Sequence, residues 1–345
     1  MNIEKKNLFL FLIIIFLIYC SINIGTMWDS GTHMQQGKNK LEFIFSFGKI
    51  KNEFWFSKFF PGISYTITAF LSSLAPRAYQ SEALHLINML ISLSAVFALS
   101  NLFKILFNKT SAKIIFILFI LYPAFFGHMA INPKDTIILV SNIWITYFVI
   151  KYLYKNNKIK NKKKYILKVG FFIALGTGVT LGFAATLFPL LIFVLLEIFY
   201  FKKLSQKINK KIFFLDLTKI ILFSYFFILI FWPQAHGNIF IIPFKIFIES
   251  INNPPVGAPA NLFNGVIYLT GDPPKTYVLL SLILRTPEYI LLLYLFSFYL
   301  IIFKNNYYKK IFKNFNYKLY FVFLILFLNI FMLTFSPYPM YDGMR

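Results

Sequence analysis

The chain has 345 residues, of which 58% are hydrophobic and only 14% are charged, and its formal net charge at pH 7 is +23. A soluble domain carries roughly half apolar and about a quarter charged residues, so this composition excludes an ordinary water-soluble globule. The charge does not indicate nucleic-acid binding, because the lysines occupy short segments between apolar runs. The single cysteine, Cys20, excludes intramolecular disulfides and cysteine-based zinc sites.

Long apolar runs follow one another along the chain, and a bilayer core of about 30 Å needs about 20 such residues per helix. The first run follows Lys5 and Lys6 and has no small-x-small cleavage site after it, which indicates an uncleaved helix rather than a signal peptide. The runs predict an all-α fold, a polytopic transmembrane bundle of about nine helices that forms a single domain over residues 1–345.

Five lysine clusters orient these helices, because cytoplasmic loops collect Lys and Arg. All five fall on one side of the membrane if the helices cover about 8–25, 83–103, 113–128, 135–154, two short helices within 168–200, 219–233, 287–303 and 319–335. This path predicts a multi-pass protein of the plasma (inner) membrane. Its N-terminus is then cytoplasmic and its active face lies outside.

The outer side of this predicted topology holds three loops, at 26–82, 129–134 and 233–286. Residues 59–74 are apolar, but a crossing there would reverse every later lysine cluster, so we interpret them as a re-entrant or interfacial helix. The preceding residues 41–58 mix aromatic and charged side chains, which suits the membrane interface. Most acidic residues and all four histidines also fall outside or at the outer boundary, so any chemistry is predicted to face outward.

The first candidate site is Trp28-Asp29-Ser30-Gly31-Thr32-His33, directly after the first helix. An aspartate at the membrane surface close to a histidine can act as a general base towards an acceptor hydroxyl, with His33 assisting Asp29. The alternative is a solvated loop in which Trp28 anchors the chain at the interface.

The second candidate site is the turn from His128 to Asp135. Asn132 is expected to cap the following helix, with Pro133 at its first position and Asp135 near the positive end of the helix dipole. Lys134 has no such structural role, and as a cation on the outer side it is placed to bind a phosphate. The alternative is an ordinary surface lysine whose ammonium group reaches water.

Two further outer segments carry polar residues. One contains His236 and later Asn264-Gly265 and Asp272-Pro273, which are turn formers, so local structure explains His236 and Asp272 better than chemistry does. The other is the C-terminal segment, in which Arg345 is a second outer cation. The sequence contains no P-loop, dinucleotide fingerprint, nucleophile elbow or zinc-binding HExxH motif.

Taken in order, these segments resemble the GT-C superfold of membrane glycosyltransferases, which includes protein O-mannosyltransferases and lipid A aminoarabinose transferases. The resemblance covers essentially the whole chain and consists of W-D-S-G-T-H-x-x-x-G from residue 28, G-H-x-x-x-N-P-K-D from residue 127, F-N-G from residue 263, D-P-P-x-x-Y from residue 272 and R-T-P from residue 285. Many members carry a second acid beside the first-loop aspartate, and here that position is Ser30. Members commonly continue with further helices, so the chain is expected to be C-terminally truncated at Arg345.

The resemblance implies an enzyme that moves a sugar from a polyprenyl-phosphate donor to an acceptor at the outer face. It gives Asp29 the role of the family's first-loop acid and makes the 132–135 turn a candidate for donor handling. The acceptor is open between a glycolipid, a glycan and a protein, and the cofactor is unknown: a divalent metal fits the resemblance, but the sequence shows no ligand set for one. Membrane lipids are expected partners and nucleic acid is not.

In the resulting hypothesis Asp29 and His33 are catalytic, and Lys134 and Arg345 bind the donor phosphate. The remaining outer residues, His128, Asn132, Asp135 and His236, are candidates for substrate binding. A transporter or lipid flippase is the first alternative, although the sequence shows no convincing internal repeat of the kind that transporters carry. A non-enzymatic membrane assembly factor is the second.

Overall fold

The structure is a computed structural model that describes residues 3–27, 30–50, 58–154, 159–205, 208–252, 260–269 and 272–335. It is mostly helical, as predicted. The helices are α1 (Ile3–Asn23), α2 (Ser30–Phe45), α3 (Ile63–Ser73), α4 (Gln80–Leu106), α5 (Lys109–Ile120), α6 (Pro123–His128), α7 (Asp135–Tyr154), α8 (Ile159–Val179), α9 (Phe183–Thr186), α10 (Phe188–Leu196), α11 (Lys210–Ile230), α12 (Ile242–Asn252), α13 (Tyr277–Arg285), α14 (Glu288–Phe303), α15 (Asn305–Ile311) and α16 (Phe315–Phe335). Two 3-10 turns, Arg77–Tyr79 and Pro233–Ala235, a π-helical turn, Glu197–Phe201, and a hairpin of β1 (Ala260–Phe263) and β2 (Val266–Leu269) complete the described elements.

Five stretches among the described residues are long and apolar enough to cross a membrane: Arg77–Leu106, Asp135–Tyr154, Phe183–Phe201, Lys210–Ile230 and Phe315–Phe335. Helices α13 and α14 bend by 110° at their junction and would add a sixth if they form one broken span. Burial inside the protein differs widely, from 61% of the most apolar window of α7 to 6% of that of α16. A helix that is apolar on all sides yet unburied fits a lipid environment.

The predicted helix positions agree with the structure where local signals are strong. The expected helix at 135–154 is α7. The block 168–200, where two short helices are expected, contains the end of α8, which begins as early as Ile159, and then α9 and α10. The expected single helix at 113–128 is wrong, because α5 ends at Ile120 and α6 begins at Pro123. Proline lacks a backbone N–H and its ring clashes with the preceding turn, so it starts a helix rather than continuing one.

The segment 26–82, expected as the first outer loop, contains the helices α2 and α3. The segment 59–74 contains α3, whose 11 residues are about 16 Å long and too short to cross a bilayer core. The residues expected at the interface, 41–58, are only in part helical: α2 begins earlier, at Ser30, and ends at Phe45, while residues 51–57 lie outside the described residues. The membrane position of both segments stays a prediction.

The chain forms two compact units. Unit 1 consists of Met1–Ala184 and Lys203–Ile246, and unit 2 of Ala185–Lys202 and Phe247–Arg345. In unit 1 one core cluster surrounds Ile63 of α3, Ile137 of α7 and Trp232. A second joins α1, α4 and the turn before α7 through Leu17, Met89 and Met129.

An ion-pair network joins α7, α8 and α11 at one end of unit 1. The buried carboxylate of Asp216 lies 2.7 Å from the Lys162 ammonium group and 3.9 Å from that of Lys219. It also accepts a hydrogen bond of 2.7 Å from the Tyr152 hydroxyl group. A buried carboxylate is tolerated only with such compensation, so Asp216 has a structural role.

In unit 2 the predicted turn at Asn264-Gly265 is confirmed. Asn264 and Gly265 form the turn of the β-hairpin, with positive φ angles of 54° and 79°. A two-residue hairpin turn of this kind requires positive φ at both positions, which Asn-Gly adopts most easily. Elsewhere in the unit, the Glu197 carboxylate accepts a hydrogen bond of 2.5 Å from Tyr317 at the start of α16.

Candidate functional site

The segment 58–62, which precedes α3, is the point at which several elements of unit 1 meet. Its carbonyl groups accept hydrogen bonds from two distant side chains: the Trp232 indole donates to Lys58 at 3.0 Å, and the Lys40 ammonium group donates to Phe60 at 2.9 Å and also to Pro61. The backbone N–H of Gly62 donates to the carbonyl of Gly178. The segment is therefore held from α2, from α8 and from the end of α11.

Lys40 of α2 is almost completely buried, with 1% of its surface exposed. Burial penalises the charged form and lowers the pKa of Lys40 from 10.5 to about 7. A neutral amine still has two N–H donors, which matches the two carbonyl groups it contacts. Near neutral pH, Lys40 is thus poised between its charged and neutral forms without losing its role in holding residues 60 and 61.

Two glycines allow this packing. Gly62 has a φ of 74°, and a side chain there would meet the Lys40 ammonium nitrogen at 2.7 Å. A side chain at Gly37 would meet the Tyr65 carbonyl oxygen at 2.3 Å, which no rotamer change can relieve. Helices α2 and α3 therefore approach each other at backbone contact, and both positions require glycine.

His33 lies on the same face of α2 as Gly37 and Lys40. Its ring stacks on the ring of Tyr65 in α3, with centroids 4.3 Å apart and planes within 8° of parallel. His33 is partly buried, whereas Tyr65 is only 3% exposed. Asp29, the proposed general base, lies outside the described residues, so the pairing of Asp29 with His33 stays a prediction.

The predicted helix cap at Asn132 is confirmed. Its side-chain oxygen accepts hydrogen bonds from the backbone N–H groups of Lys134, at 3.1 Å, and Asp135, at 2.9 Å. Its side-chain nitrogen donates to the Asp135 carboxylate at 2.9 Å. These contacts account for Asn132, which is 2% exposed, and for Asp135 as parts of the start of α7.

Lys134 is the residue of this turn that capping does not explain. Its ammonium nitrogen lies 5.6 Å from the centroid of the Phe60 ring, within the range of a cation–π contact. The neighbouring Asp135 carboxylate is directed to Asn132 instead, and in the described part of the chain no carboxylate is within ion-pairing distance of Lys134. A partly buried cation at the positive end of α7 is electrostatically unfavourable, and a bound anion would relieve it.

The other candidate residues are not gathered at this point. His128 ends α6 and is exposed. His236 donates from its ring nitrogen Nε2 to the Leu229 carbonyl group at 2.6 Å, and its ring lies 5.6 Å from that of Phe43. These contacts fit the structural interpretation of His236, and Arg345 lies outside the described residues.

Sequence reasoning missed two buried polar residues. The spacing of His33, Gly37 and Lys40, which places them on one helix face, was a signal for Lys40. His85 of α4 is 2% exposed, and neither ring nitrogen has a hydrogen-bond partner among the described residues, although the Ser21 backbone lies beside the ring. One turn later, Asn88 donates to the Ala130 carbonyl group at 3.2 Å and so supports the turn before Asn132.

Comparisons of the chain with protein-family models, with curated proteins and with solved structures find no match. Among the residues that the structure describes, no group of three or more His, Cys, Asp or Glu side chains lies close enough to hold a metal ion. At Phe60 the buried Lys40 amine contacts the carbonyl group, and the partly buried Lys134 ammonium group lies over the ring, next to the N-terminus of α7.

Proposed function

We propose that the protein is a membrane glycosyltransferase of the GT-C type, resembling hexosyl- and mannosyltransferases, that uses a polyprenyl-phosphate sugar as donor. The observation that carries the proposal is Lys134, a partly buried cation at the start of α7 without a carboxylate partner in the described residues. Its support on the Phe60 ring holds it close to the capped helix end. A donor phosphate would supply the missing negative charge.

In the proposed reaction, an acceptor hydroxyl group attacks the anomeric carbon of the sugar. The bond between that carbon and the phosphate oxygen breaks, and polyprenyl phosphate leaves with the bonding electrons. Asp29 accepts the hydroxyl proton with help from His33, and Lys134 and Arg345 stabilise the charge on the leaving phosphate.

The proposal includes a topology. About nine helices cross the membrane, the N-terminus is cytoplasmic, and the start of α7 faces outward. Asp216 and Glu197, two acidic residues that this topology assigns to the cytoplasmic side, are engaged in local contacts and need no chemical role. The acceptor, whether glycolipid, glycan or protein, would approach from the outer side, where the 26–82 loop contains α2 and α3.

One observation favours the transporter or flippase alternative. Helices α13 and α14 form a pair bent by 110°, and discontinuous helices occur at the substrate sites of transporters. Transporters carry such helices in corresponding positions of two repeats. A single bent pair among the described residues therefore favours this alternative less than Lys134 favours the enzyme.

The experiment that tests the proposal measures donor binding to the purified full-length protein. Lys134→Ala should weaken binding of a short-chain polyprenyl-phosphate sugar by about tenfold to 100-fold, since a charge-assisted hydrogen bond contributes about 1.5–3 kcal/mol. The control is Lys49→Ala, an exposed lysine after α2, which should bind as the wild type does. Equal affinity of the wild type and Lys134→Ala would refute a donor-phosphate role.

A further inference from the structure

A cluster of lysine ammonium groups lies where α7 and α8 pack against each other in unit 1. Lys168 of α8 has two charged neighbours, Lys164 one turn earlier on the same helix and Lys151 on α7. Like charges one turn apart destabilise a helix, and the third charge across the helix pair adds to the repulsion. The cluster is thus unfavourable unless an anion is nearby.

Two buried aromatic rings fix the positions of two of these groups. The ammonium nitrogen of Lys151 lies 4.5 Å from the centroid of the Tyr147 ring, and that of Lys168 lies 4.8 Å from the Phe148 ring. The two ring centroids are 5.2 Å apart, and the rings are 8% and 5% exposed. The rings are tilted by 55° to each other, and each holds one ammonium group; we call this ring pair the platform. A π face leaves most of the three donors of each ammonium group available.

The protein itself does not neutralise the cluster. The nearby carboxylate of Asp216 is already engaged by Lys162, Lys219 and a tyrosine hydroxyl group. Within the described ranges, no carboxylate is within ion-pairing distance of the three clustered lysines. The sequence from 151 to 168 adds to the charge, since it contains eight lysines and no acidic residue.

We propose that Lys151, Lys164 and Lys168 form a binding site for the phosphate of an anionic phospholipid headgroup. The site lies near the end of Asp135–Tyr154, a stretch long and apolar enough to cross a membrane, and headgroups lie at such an end. Apolar side chains beside the lysines are exposed: Leu167 by 50% and Tyr154 by 44%. Exposed apolar side chains can pack against the acyl chains of a lipid, whereas a soluble phosphate compound has no apolar part to contact them. The proposal is independent of the glycosyltransferase reaction.

The test measures the affinity of the purified full-length protein, in nonionic detergent at fixed salt, for fluorescent phosphatidylglycerol, with phosphatidylcholine as the zwitterionic comparison. A charge-assisted hydrogen bond from a lysine to the phosphate contributes about 1.5–3 kcal/mol. The double variant Lys151→Gln with Lys168→Gln should therefore lose at least roughly thirtyfold in affinity. The matched control replaces two exposed lysines, Lys104→Gln with Lys113→Gln. It removes the same charge and should lose less than about threefold, because those lysines are outside the platform.

Two further variants keep the result interpretable if the first double variant unfolds. Replacing Lys151 and Lys168 by arginine retains the charge and should restore most of the affinity. Lys164→Gln changes an exposed residue and should cost about fivefold alone. Equal losses in the Lys151/Lys168 and Lys104/Lys113 variants would show a diffuse charge effect and refute the site. No preference for phosphatidylglycerol over phosphatidylcholine, or full displacement of the lipid by millimolar inorganic phosphate, would refute the lipid as its ligand.

Discussion

Lys40 gives the sharpest prediction about stability, because its charge state differs between the folded and unfolded chain. In the unfolded chain a lysine stays protonated up to a pKa of about 10.5, whereas burial lowers the pKa of folded Lys40 to about 7. Between these values the unfolded state binds one proton more, so the free energy of unfolding rises with pH. Below pH 7 Lys40 is protonated in both states, so it no longer makes the free energy of unfolding depend on pH.

The magnitude follows from the two pKa values. One pKa unit corresponds to about 1.4 kcal/mol, so the free energy of unfolding should rise by up to roughly 3 kcal/mol between pH 7 and pH 9. The residue is 1% exposed, so solvent screening reduces this figure little. In Lys40→Met the group is absent, and the increase over this range should be smaller by that amount.

The assay is thermal unfolding of the detergent-solubilised protein at pH 7, 8 and 9 at one scan rate. The apparent Tm of the wild type should rise by several degrees more than that of Lys40→Met, because about 1 kcal/mol shifts the Tm of a large domain by about 2–4 °C. Lys49→Met, at an exposed position, should follow the wild type. Parallel profiles for the wild type and Lys40→Met would refute the assignment of a neutral buried amine.

The remaining predictions concern the proposed enzyme and its topology. Asp29→Asn removes basicity but little volume, so turnover should fall by about 10² to 10⁴ at unchanged Tm; transfer at the wild-type rate would remove Asp29 from the mechanism. In a Cys20→Ser background, membrane-impermeant labelling of intact cells should modify Lys38→Cys and not Lys160→Cys, and the opposite pattern would reverse the topology. Asn132→Ala should destabilise the protein by about 1–2 kcal/mol through loss of the α7 cap, measured as a lower Tm, and an unchanged Tm would contradict the capping role.

Local features were predictable because their causes lie within a few residues. The Asn132 cap and the start of α7 depend on hydrogen bonds between residues 132 and 135. The Asn264-Gly265 turn depends on two residues that tolerate positive φ. The break in the expected helix at 113–128 has an equally local cause, since Pro123 starts α6 and does not continue α5.

The candidate site was only partly predictable, because burial depends on distant segments. The position of Lys134 next to the cap is visible in the sequence, but its contact with the Phe60 ring joins residues 74 positions apart. His236 is a candidate for substrate binding by sequence, and in the structure its ring donates to the carbonyl group of Leu229. His85 sits in an apolar run, and its burial, with 2% of its surface exposed, is a property of the packed helices that the local sequence does not show.

The sequence by itself indicated a mostly helical protein with several helices apolar enough to cross a membrane, because long apolar runs alternate with lysine clusters. Individual helix starts and turns are encoded by adjacent residues. These features can be read along the chain without knowing which segments pack together. Only the tertiary structure decided which of 35 basic residues matter. Lys40 is buried because Gly37 and Gly62 let α2 and the segment before α3 approach closely, and Lys151 and Lys168 share a platform because α7 packs on α8. The cost of a charge depends on what surrounds it, and its surroundings are set by residues far away in the chain.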